Sequence, residues 1–412
     1  MITNTNPMKK IFPLLLILLI TALIPVLNTS RAQGMVEVVD QTVASSFGEE
    51  ITFQVEFESD QLIESITLSI QAPGLPTFVG AVSSNAEGEG EFIYLVSERP
   101  LPAFASINYD YQFILESGEI VESPQYEFTY LDNRFNWQEL IEEPFKIYWY
   151  EGEITLAQEV LDAALYGQEV TLEALMQPPD SQPIVIFIYG SEEELQSSLA
   201  AIGQSWVSGY ADPARGSVVV ALPPAIDQPL EIQRLIPHEI SHILLYRFMG
   251  VEFSYLPAWL NEGFASQMES YSLPEYDLIL ERAYQGRDLI PFLHLCQAFP
   301  VDPELAKLAY AQSDALVEYI QREHGLPGLQ SLIYAYDQGV SCERGVEMAL
   351  GISLETLEKE WQRDTFAQDT LRFLIYGLAG LLVLLILGLG GFIFYKTSQN
   401  DSPADWDENE TL

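Results

Sequence analysis

The residues whose types and spacing could support catalysis lie in one short segment of this 412-residue chain, His238-Glu239-Ile240-Ser241-His242. Two His residues four positions apart in a helix lie one turn above each other, so both imidazoles can bind one metal ion. Glu239 lies roughly 100° around the same helix and can act on a ligand of that ion. Because the chain has only 4 His, chance alone produces this pattern in about 0.004 chains of this composition. The segment therefore favours a metal site over the alternative, a buried helix that packs the two His residues without metal.

A third candidate ligand, Glu262, follows His242 by twenty residues. Gly250 and Pro257 lie between them and suit a turn between two helices, so a second helix that begins near Ala258 could return Glu262 to the metal. Three protein ligands leave a fourth position open for water, which is the arrangement of catalytic zinc sites. Nitrogen and oxygen ligands favour zinc among the metals. We therefore predict one Zn²⁺ ion per chain.

The segment around this third ligand has the sequence Trp-Leu-Asn-Glu-Gly-Phe-Ala, at positions 259–265. Together with the His-Glu-x-x-His pattern upstream, it resembles the gluzincin metallopeptidases, and it is most similar to the peptidase MA-like group related to the M1 aminopeptidases. The resemblance is strong over about 230–270 and extends, in pattern alone, from about 140 to 367. One element departs from it: no Gly-x-Met-Glu-Asn segment, with which M1 enzymes grip a free amino terminus, lies upstream of the metal helix. Endopeptidase or another hydrolase activity is therefore at least as well supported as aminopeptidase activity.

The resemblance implies a role for each matched residue. His238, His242 and Glu262 would hold zinc, and Glu239 would be the general base that takes a proton from the attacking water. Gluzincins often use a Tyr downstream of the third ligand to stabilise the tetrahedral oxyanion, which makes Tyr310 a candidate for that role. The alternative for Tyr310 is packing within a helical core.

Three features near the site have two interpretations each. Glu269 lies two helical turns beyond Glu262 and could accept a hydrogen bond from a ligand His, although a solvated surface Glu is more common. The predicted strand at 217–222 could be an edge on which an extended peptide adds, or a buried structural strand. Cys296 and Cys342 could form a disulfide in an oxidising exterior, or remain two free buried thiols.

The elements that must position these residues change type along the chain. From Val36 to Tyr130, apolar and polar residues alternate with period two, which is typical of strands with one wet face. We therefore predict an N-terminal all-β, immunoglobulin-like sandwich over 33–133, either a recognition module or a scaffold for the next domain. Helices with few strands follow, which predicts an α+β domain over 134–370. The resemblance implies that this domain is a zincin-like (gluzincin), peptidase MA-like metallopeptidase domain.

The first residues of the chain have the pattern of an export signal. Lys9 and Lys10 precede an uncharged run, and small residues stand before a possible cleavage site after Ala32. This pattern predicts a signal peptide over 1–32, with an uncleaved anchor helix as the alternative. In either case the following chain is expected to be exported.

The last residues of the chain predict a membrane anchor. The stretch 373–395 contains 23 residues without a charge, which is long enough to cross a bilayer. We expect a multi-domain, single-pass protein of the cell membrane, with one C-terminal transmembrane helix over 371–396. The catalytic domain would be extracytoplasmic, and 397–412 would form an acidic cytoplasmic tail.

The charge of the chain limits its partners. The sequence has 60 acidic and 18 basic residues, for a formal net charge of −42. Nucleic acid is excluded as a partner, because its binding depends on Lys and Arg that neutralise phosphates. Residues 33–395 contain 14 bases and 55 acids, a net of −41, so the acidity belongs to the exported part. Such a surface should favour neutral or basic peptides over acidic ones.

These features together predict a membrane-anchored, extracytoplasmic zinc metallopeptidase that hydrolyses peptide bonds in a peptide or protein substrate. The alternative is a catalytically silent zinc-fold surface module whose β domain mediates binding. The intact Glu239 favours the enzyme, because a silent relative has no chemical reason to keep a base between its metal ligands.

Overall fold

The computed structural model describes residues 36–199 and 208–400, and at 367–375 and 391–400 it describes the backbone alone. The predicted signal peptide, 1–32, lies outside the described residues.

Antiparallel strands make up the first part of the described chain. They are β1 (Val36–Ser46), β2 (Glu50–Ser59), β3 (Ile63–Gln71), β4 (Phe78–Ser84), β5 (Glu89–Leu95), β6 (Ala105–Leu115), β7 (Ile120–Glu122) and β8 (Tyr126–Tyr130). Their order is β1-β2-β5-β4-β3-β6-β7, and β8 also pairs with β6. Alternate residues of β2 and β6 are buried in a common core, as their period-two pattern predicts. The prediction of a β-rich N-terminal domain is confirmed.

The second part of the described chain mixes strands and helices. Its strands are β9 (Gln138–Glu142), β10 (Phe145–Trp149), β11 (Ile184–Tyr189), β12 (Gly209–Asp212) and β13 (Ser217–Ala221). Its helices are α1 (Ile154–Leu175), α2 (Glu192–Ser198), α3 (Gln228–Met249), α4 (Ala258–Met268), α5 (Pro274–Gly286), α6 (Pro303–Tyr336), α7 (Cys342–Leu350) and α8 (Leu354–Asn400). Short 3₁₀ segments occupy Gly250–Tyr255 and Phe292–Leu295.

The five strands of this second part form one sheet in the order β12-β13-β11-β10-β9. Neighbours among β13, β11 and β10 are parallel, and both outer strands are antiparallel to their neighbours. Strand β13 is therefore an interior strand, which corrects the suggestion that 217–222 could be a substrate-binding edge. The edge strand on that side of the described sheet is β12.

The helices of the second part pack in two groups. Helices α1 and α3 cover the sheet, and their apolar side chains share a core with β10, β11 and β13. Helices α4 to α8 form a separate apolar core with the end of α3, which includes the fully buried Trp259 and Trp361. Helix α3 therefore lies between the two cores, with its central residues buried on both sides.

The two parts of the chain meet at a buried carboxylate. Asp132 is fully buried, and it accepts hydrogen bonds from the Arg134 guanidinium and, at 2.9 Å, from the Tyr189 hydroxyl of β11. The backbone N–H of Ala103 also donates to the carbonyl of Ser198. The β-rich domain therefore packs directly on the sheet of the second domain.

The long helix α8 contains the predicted membrane segment. Within the part of the chain that the structure describes, no helix combines the length and the apolar character needed to cross a membrane. Of the predicted 371–396 span, side chains are described only for 376–390, and the rest lie outside the described side chains. Residues 401–412 of the predicted tail also lie outside the described residues.

Candidate metal centre

Helices α3 and α4 bring the three predicted ligands together. Ligand atoms of His238, His242 and Glu262 all lie within 4.8 Å of one another. The Glu262 carboxylate oxygen Oε2 is 3.4 Å from His238 Nε2 and 3.6 Å from His242 Nε2. Two imidazole nitrogens and one carboxylate oxygen at this spacing fit a tetrahedral zinc ion with its fourth position free.

Helix α4 reaches this position because it packs closely on α6. Trp259 and Phe264 are fully buried on either side of Glu262. A side chain at Gly263 would lie 2.6 Å from the Val317 side chain and closer still to the Ser313 carbonyl, so this helix contact requires Gly.

The start of α4 is fixed by a backbone hydrogen bond and a disulfide. The N–H of Ala258 donates to the carbonyl of Cys296, and Cys296 forms a disulfide with Cys342 at the start of α7. Of the two alternatives for this pair of cysteines, the structure contains the disulfide. It links the segment before α6 to the start of α7, next to the start of the helix that carries Glu262.

Each ligand imidazole has a hydrogen-bond partner on its second nitrogen. His238 Nδ1 is 2.9 Å from Glu269 Oε1, and His242 Nδ1 is 3.1 Å from Asn261 Oδ1. Such partners fix the ring orientation and the tautomer, so that Nε2 of each ring faces the metal position. Glu269 therefore lies where it can accept a hydrogen bond from His238, which is the first of its two interpretations.

A proline in α3 helps to place Glu269. Pro237 lacks an N–H, so the carbonyl of Gln233, four residues earlier, has no partner within the helix. The N–H of Ser270 donates to this carbonyl at 3.2 Å. The chain just after Glu269 is therefore attached to α3, one turn before His238.

The comparisons with known proteins agree with this geometry. Residues 169–367 match the family described as the Peptidase MA superfamily. The match covers just under half of the chain and includes His238, Glu239, His242 and Glu262. No curated protein matches the sequence.

Among solved structures, the chain is similar to an aminopeptidase N family protein from Idiomarina loihiensis at 8% identity, covering 79% of this chain and 76% of that one, with a TM-score of 0.41. A β-1,3-glucan binding domain of carbohydrate-binding module family 56 is similar at 17% identity over 22% of this chain and 95% of that chain, with a TM-score of 0.17. OgpA from Akkermansia muciniphila is similar at 18% identity over 24% of this chain and 28% of that chain, with a TM-score of 0.20.

Glu239 lies beside the candidate ligands in a cavity of about 290 Å³. The cavity is also lined by Gly209 at the start of the edge strand β12, by His238 and by Tyr310. A side chain at Gly209 would lie 2.6 Å from the Glu239 carboxylate, so only Gly allows the strand this close. Burial raises the pKa of Glu239, and the charges of His238 and His242 oppose this rise only in part.

Tyr310 of α6 lies on the far side of the cavity. Its ring centroid is 6.4 Å from that of His238, and its hydroxyl donates a hydrogen bond to Glu262. Burial, followed by the charges of Glu262 and Glu239, raises the pKa of Tyr310 well above its ordinary value. Its hydroxyl therefore keeps its proton at neutral pH and is available as a donor. Its edge also contacts Phe299, so the packing expected of the alternative interpretation is present as well.

The charges of the candidate metal site are strongly coupled. Burial lowers the pKa of His238, but hydrogen bonds to Glu262 and Glu269 outweigh this effect and raise the pKa to about 10. Burial raises the pKa of Glu262, but the charge of His242 and the hydrogen bonds to both His residues lower it below its ordinary value. A metal ion would take the place of the proton on His238, so ion binding would release a proton.

Two residues of the site were not identified in the sequence analysis. Asn261 contacts His242, and its amide nitrogen is 3.5 Å from Glu262 Oε1. Its position directly before the third ligand could have suggested this role. Gly209 gave no comparable signal, because its importance depends on a contact with Glu239, thirty residues later.

Proposed function

We propose that this protein is a membrane-anchored, extracytoplasmic zinc metallopeptidase that hydrolyses peptide bonds with Glu239 as general base. The observation that carries the proposal is the convergence of the His238, His242 and Glu262 ligand atoms within 4.8 Å, beside the buried Glu239. The match of residues 169–367 to the Peptidase MA superfamily supports the same reaction class for this domain.

The residues of the site have complementary roles in such a reaction. When bound, a zinc ion would acidify a water molecule and polarise the substrate carbonyl. Glu239, whose pKa is raised by burial, would accept the proton of that water and later donate it to the leaving amine. Tyr310, which keeps its proton, would donate a hydrogen bond to the oxyanion. Asn261 and Glu269 would hold the imidazoles in place.

The edge strand β12 offers a place for an extended substrate. It pairs with β13 on one side only within the described sheet, and Gly209 at its start lines the same cavity as Glu239. A peptide that adds to this edge as a further strand would pass directly beside the general base. This arrangement supports an endopeptidase as well as an exopeptidase.

The substitution Glu239→Gln tests the proposed mechanism. It keeps the size of the side chain and removes the base, so hydrolysis of a mixed peptide library should fall by about 10²- to 10⁴-fold. Metal analysis should still find about one zinc per chain, because the three ligands are unchanged. Equal hydrolysis by the parent and the variant would refute the mechanism. A parent that binds zinc and cleaves nothing would favour the silent surface module.

We also propose the membrane location, on the basis of the N-terminal signal pattern and the apolar part of α8. Large apolar residues between Tyr376 and Leu389 are more than half exposed in the chain by itself. A helix that is apolar on all sides requires an apolar environment. Protease added to intact cells should cleave the catalytic domain and spare an epitope placed after residue 412. The same epitope should be lost in permeabilised cells, and its loss in intact cells would contradict the orientation.

A further inference from the structure

One face of α6 contributes a cation to the cavity beside the metal centre. Pro303, Lys307 and Tyr310 all line this cavity, together with His238 and Glu239. Their spacing of four and three residues places them on the same side of the helix. Lys307 is thus one helical turn from Tyr310, which contacts the third ligand. Its side chain is exposed at the mouth of the cavity.

Most other charged groups of this cavity already have partners. Glu269 contacts His238 at 2.9 Å, and Arg234 forms an ion pair with Glu231 at 2.6 Å. Glu239 is the proposed base. By contrast, Lys307 makes no hydrogen bond or ion pair with any residue whose side chain the structure describes.

The absence of a described ion pair at Lys307 stands out in this chain. Acidic residues outnumber basic ones 60 to 18, so a Lys has many possible partners. Glu275, at the start of α5, lines the same cavity and is exposed, yet it is not paired with Lys307 among the described side chains. As far as the described side chains show, the ammonium group of Lys307 is therefore available to bind an anion that enters the cavity.

The pairing of charges in the cavity favours a carboxylate as that anion. Arg234 and Lys307 are the two Lys or Arg residues of the lining, and Arg234 already pairs with Glu231. Among the described side chains, Lys307 is therefore the lining Lys or Arg without a carboxylate partner. At close range its positive charge attracts a carboxylate of a bound peptide.

We propose that Lys307 determines substrate specificity by binding a carboxylate of the peptide in a subsite adjoining the scissile bond. This inference rests on the proposed peptidase function and adds the chemistry of one subsite. The carboxylate has two possible sources, an Asp or Glu side chain or the C-terminus of the peptide. A C-terminal carboxylate would make the enzyme an exopeptidase that acts near the carboxyl end.

Peptide binding tests this role separately from catalysis. The zinc-loaded full-length Glu239→Gln protein would be titrated with fluorescent N-acetylated pentapeptides in detergent. Each peptide would contain Glu or the isosteric Gln at one position and would end in a carboxylate or an amide. We expect about threefold to tenfold tighter binding of the acidic member of one such pair. Lys307→Met should abolish this preference, and Lys307→Glu should reverse it.

Two control variants make the result specific. Lys359→Met removes an exposed Lys of α8 that pairs with Glu355, far along the chain from the cavity, and should keep the preference. Glu275→Gln removes a charge of the cavity lining that has no ion pair among the described side chains, and it should also keep the preference. A preference at a Glu side chain identifies a side-chain subsite, and a preference for the free C-terminus identifies a terminal one.

Several outcomes would overturn the inference. They are an absence of any acidic preference in the parent, an acidic preference that Lys307→Met leaves unchanged, and a preference lost equally in Lys359→Met. Failure of the proposed function would look different. In that case the unsubstituted parent protein, with zinc bound, would hydrolyse no library peptide. The binding preference would still depend on Lys307.

Discussion

At the scale of single residues, His238 interacts electrostatically with two carboxylates of the site. Its Nε2 faces Glu262 and its Nδ1 faces Glu269, so one imidazole lies between two carboxylates. The first carboxylate is a candidate ligand, and the second fixes the ring and makes it more basic. The helical spacing of His238 and His242 places both imidazoles on one side of α3. The contacts of the rings with neighbouring side chains then set the orientation of each ring.

The variant Glu269→Gln tests the importance of this contact. Gln keeps an oxygen that can accept from Nδ1 but removes the charge, so zinc affinity should fall by about tenfold. The measurement is competition with a chromophoric chelator at neutral pH. Glu275→Gln removes a carboxylate of the same cavity that has no described contact with a ligand, and it should change the affinity little. Equal losses in both variants would show that only the total charge of the cavity matters.

At the scale of elements, α6 both supports the ligand helix and forms a wall of the cavity. Gly263 of α4 lies directly against the Ser313 backbone of α6. One residue further, the buried Asp314 accepts a hydrogen bond of 2.6 Å from Gln267 of α4. Burial raises the pKa of Asp314 to about 6, and the hydrogen bond from Gln267 opposes this rise.

The raised pKa of Asp314 predicts how stability depends on pH. Between about pH 4 and pH 6 the folded protein holds a proton that the unfolded chain has released, so this group's contribution to stability falls as pH rises. Asp314→Asn removes this loss and keeps the acceptor for Gln267. It should increase the free energy of unfolding by about 2 to 3 kcal/mol at pH 8, with no gain at pH 4.

Urea denaturation of the full-length protein in detergent at the two pH values measures this effect. A chelator in both samples prevents pH-dependent metal binding from contributing. Glu318→Gln, which removes an exposed carboxylate from the same helix, serves as the control and should give a much smaller gain. A gain for Asp314→Asn that is equal at both pH values would contradict the explanation.

At the scale of the whole molecule, the formal net charge of −42 acts on substrates before they reach the site. Long-range repulsion slows the approach of acidic peptides and is screened beyond about 10 Å at 0.1 M salt. Lys307 acts only on a carboxylate that is already in the cavity. The two effects therefore differ in range and in their dependence on peptide position.

Salt should reveal the long-range effect. For peptides with Asp or Glu several residues away from the scissile bond, kcat/KM should rise severalfold between about 0.02 M and 0.2 M salt. For neutral peptides of the same length it should change little. The measurement is initial rates with matched pairs of peptides over that salt range. A salt-independent preference for peptides with remote acidic residues would contradict this expectation.

The sequence by itself determined the candidate ligands and their arrangement on helices. The spacing of His238 and His242 is a property of any helix, and the segment that contains Glu262 is local in sequence, so both could be predicted. The period-two pattern likewise predicted the β-rich domain, because one face of each strand must be buried. The sequence also predicted β13, as the strand at 217–222, from its apolar run.

The tertiary structure alone decided which residues meet across long separations. The contact of Glu269 with His238 spans 31 residues, and the contact of Gly209 with Glu239 depends on the pairing of β12 with β13. Strands β9 and β12 each contain only two consecutive apolar residues, so they lack the apolar run that identifies β13. The position of Lys307 in the cavity and the disulfide between Cys296 and Cys342 were also decided only by folding. Local sequence fixes helical spacing, whereas these contacts depend on how distant segments pack around a shared core.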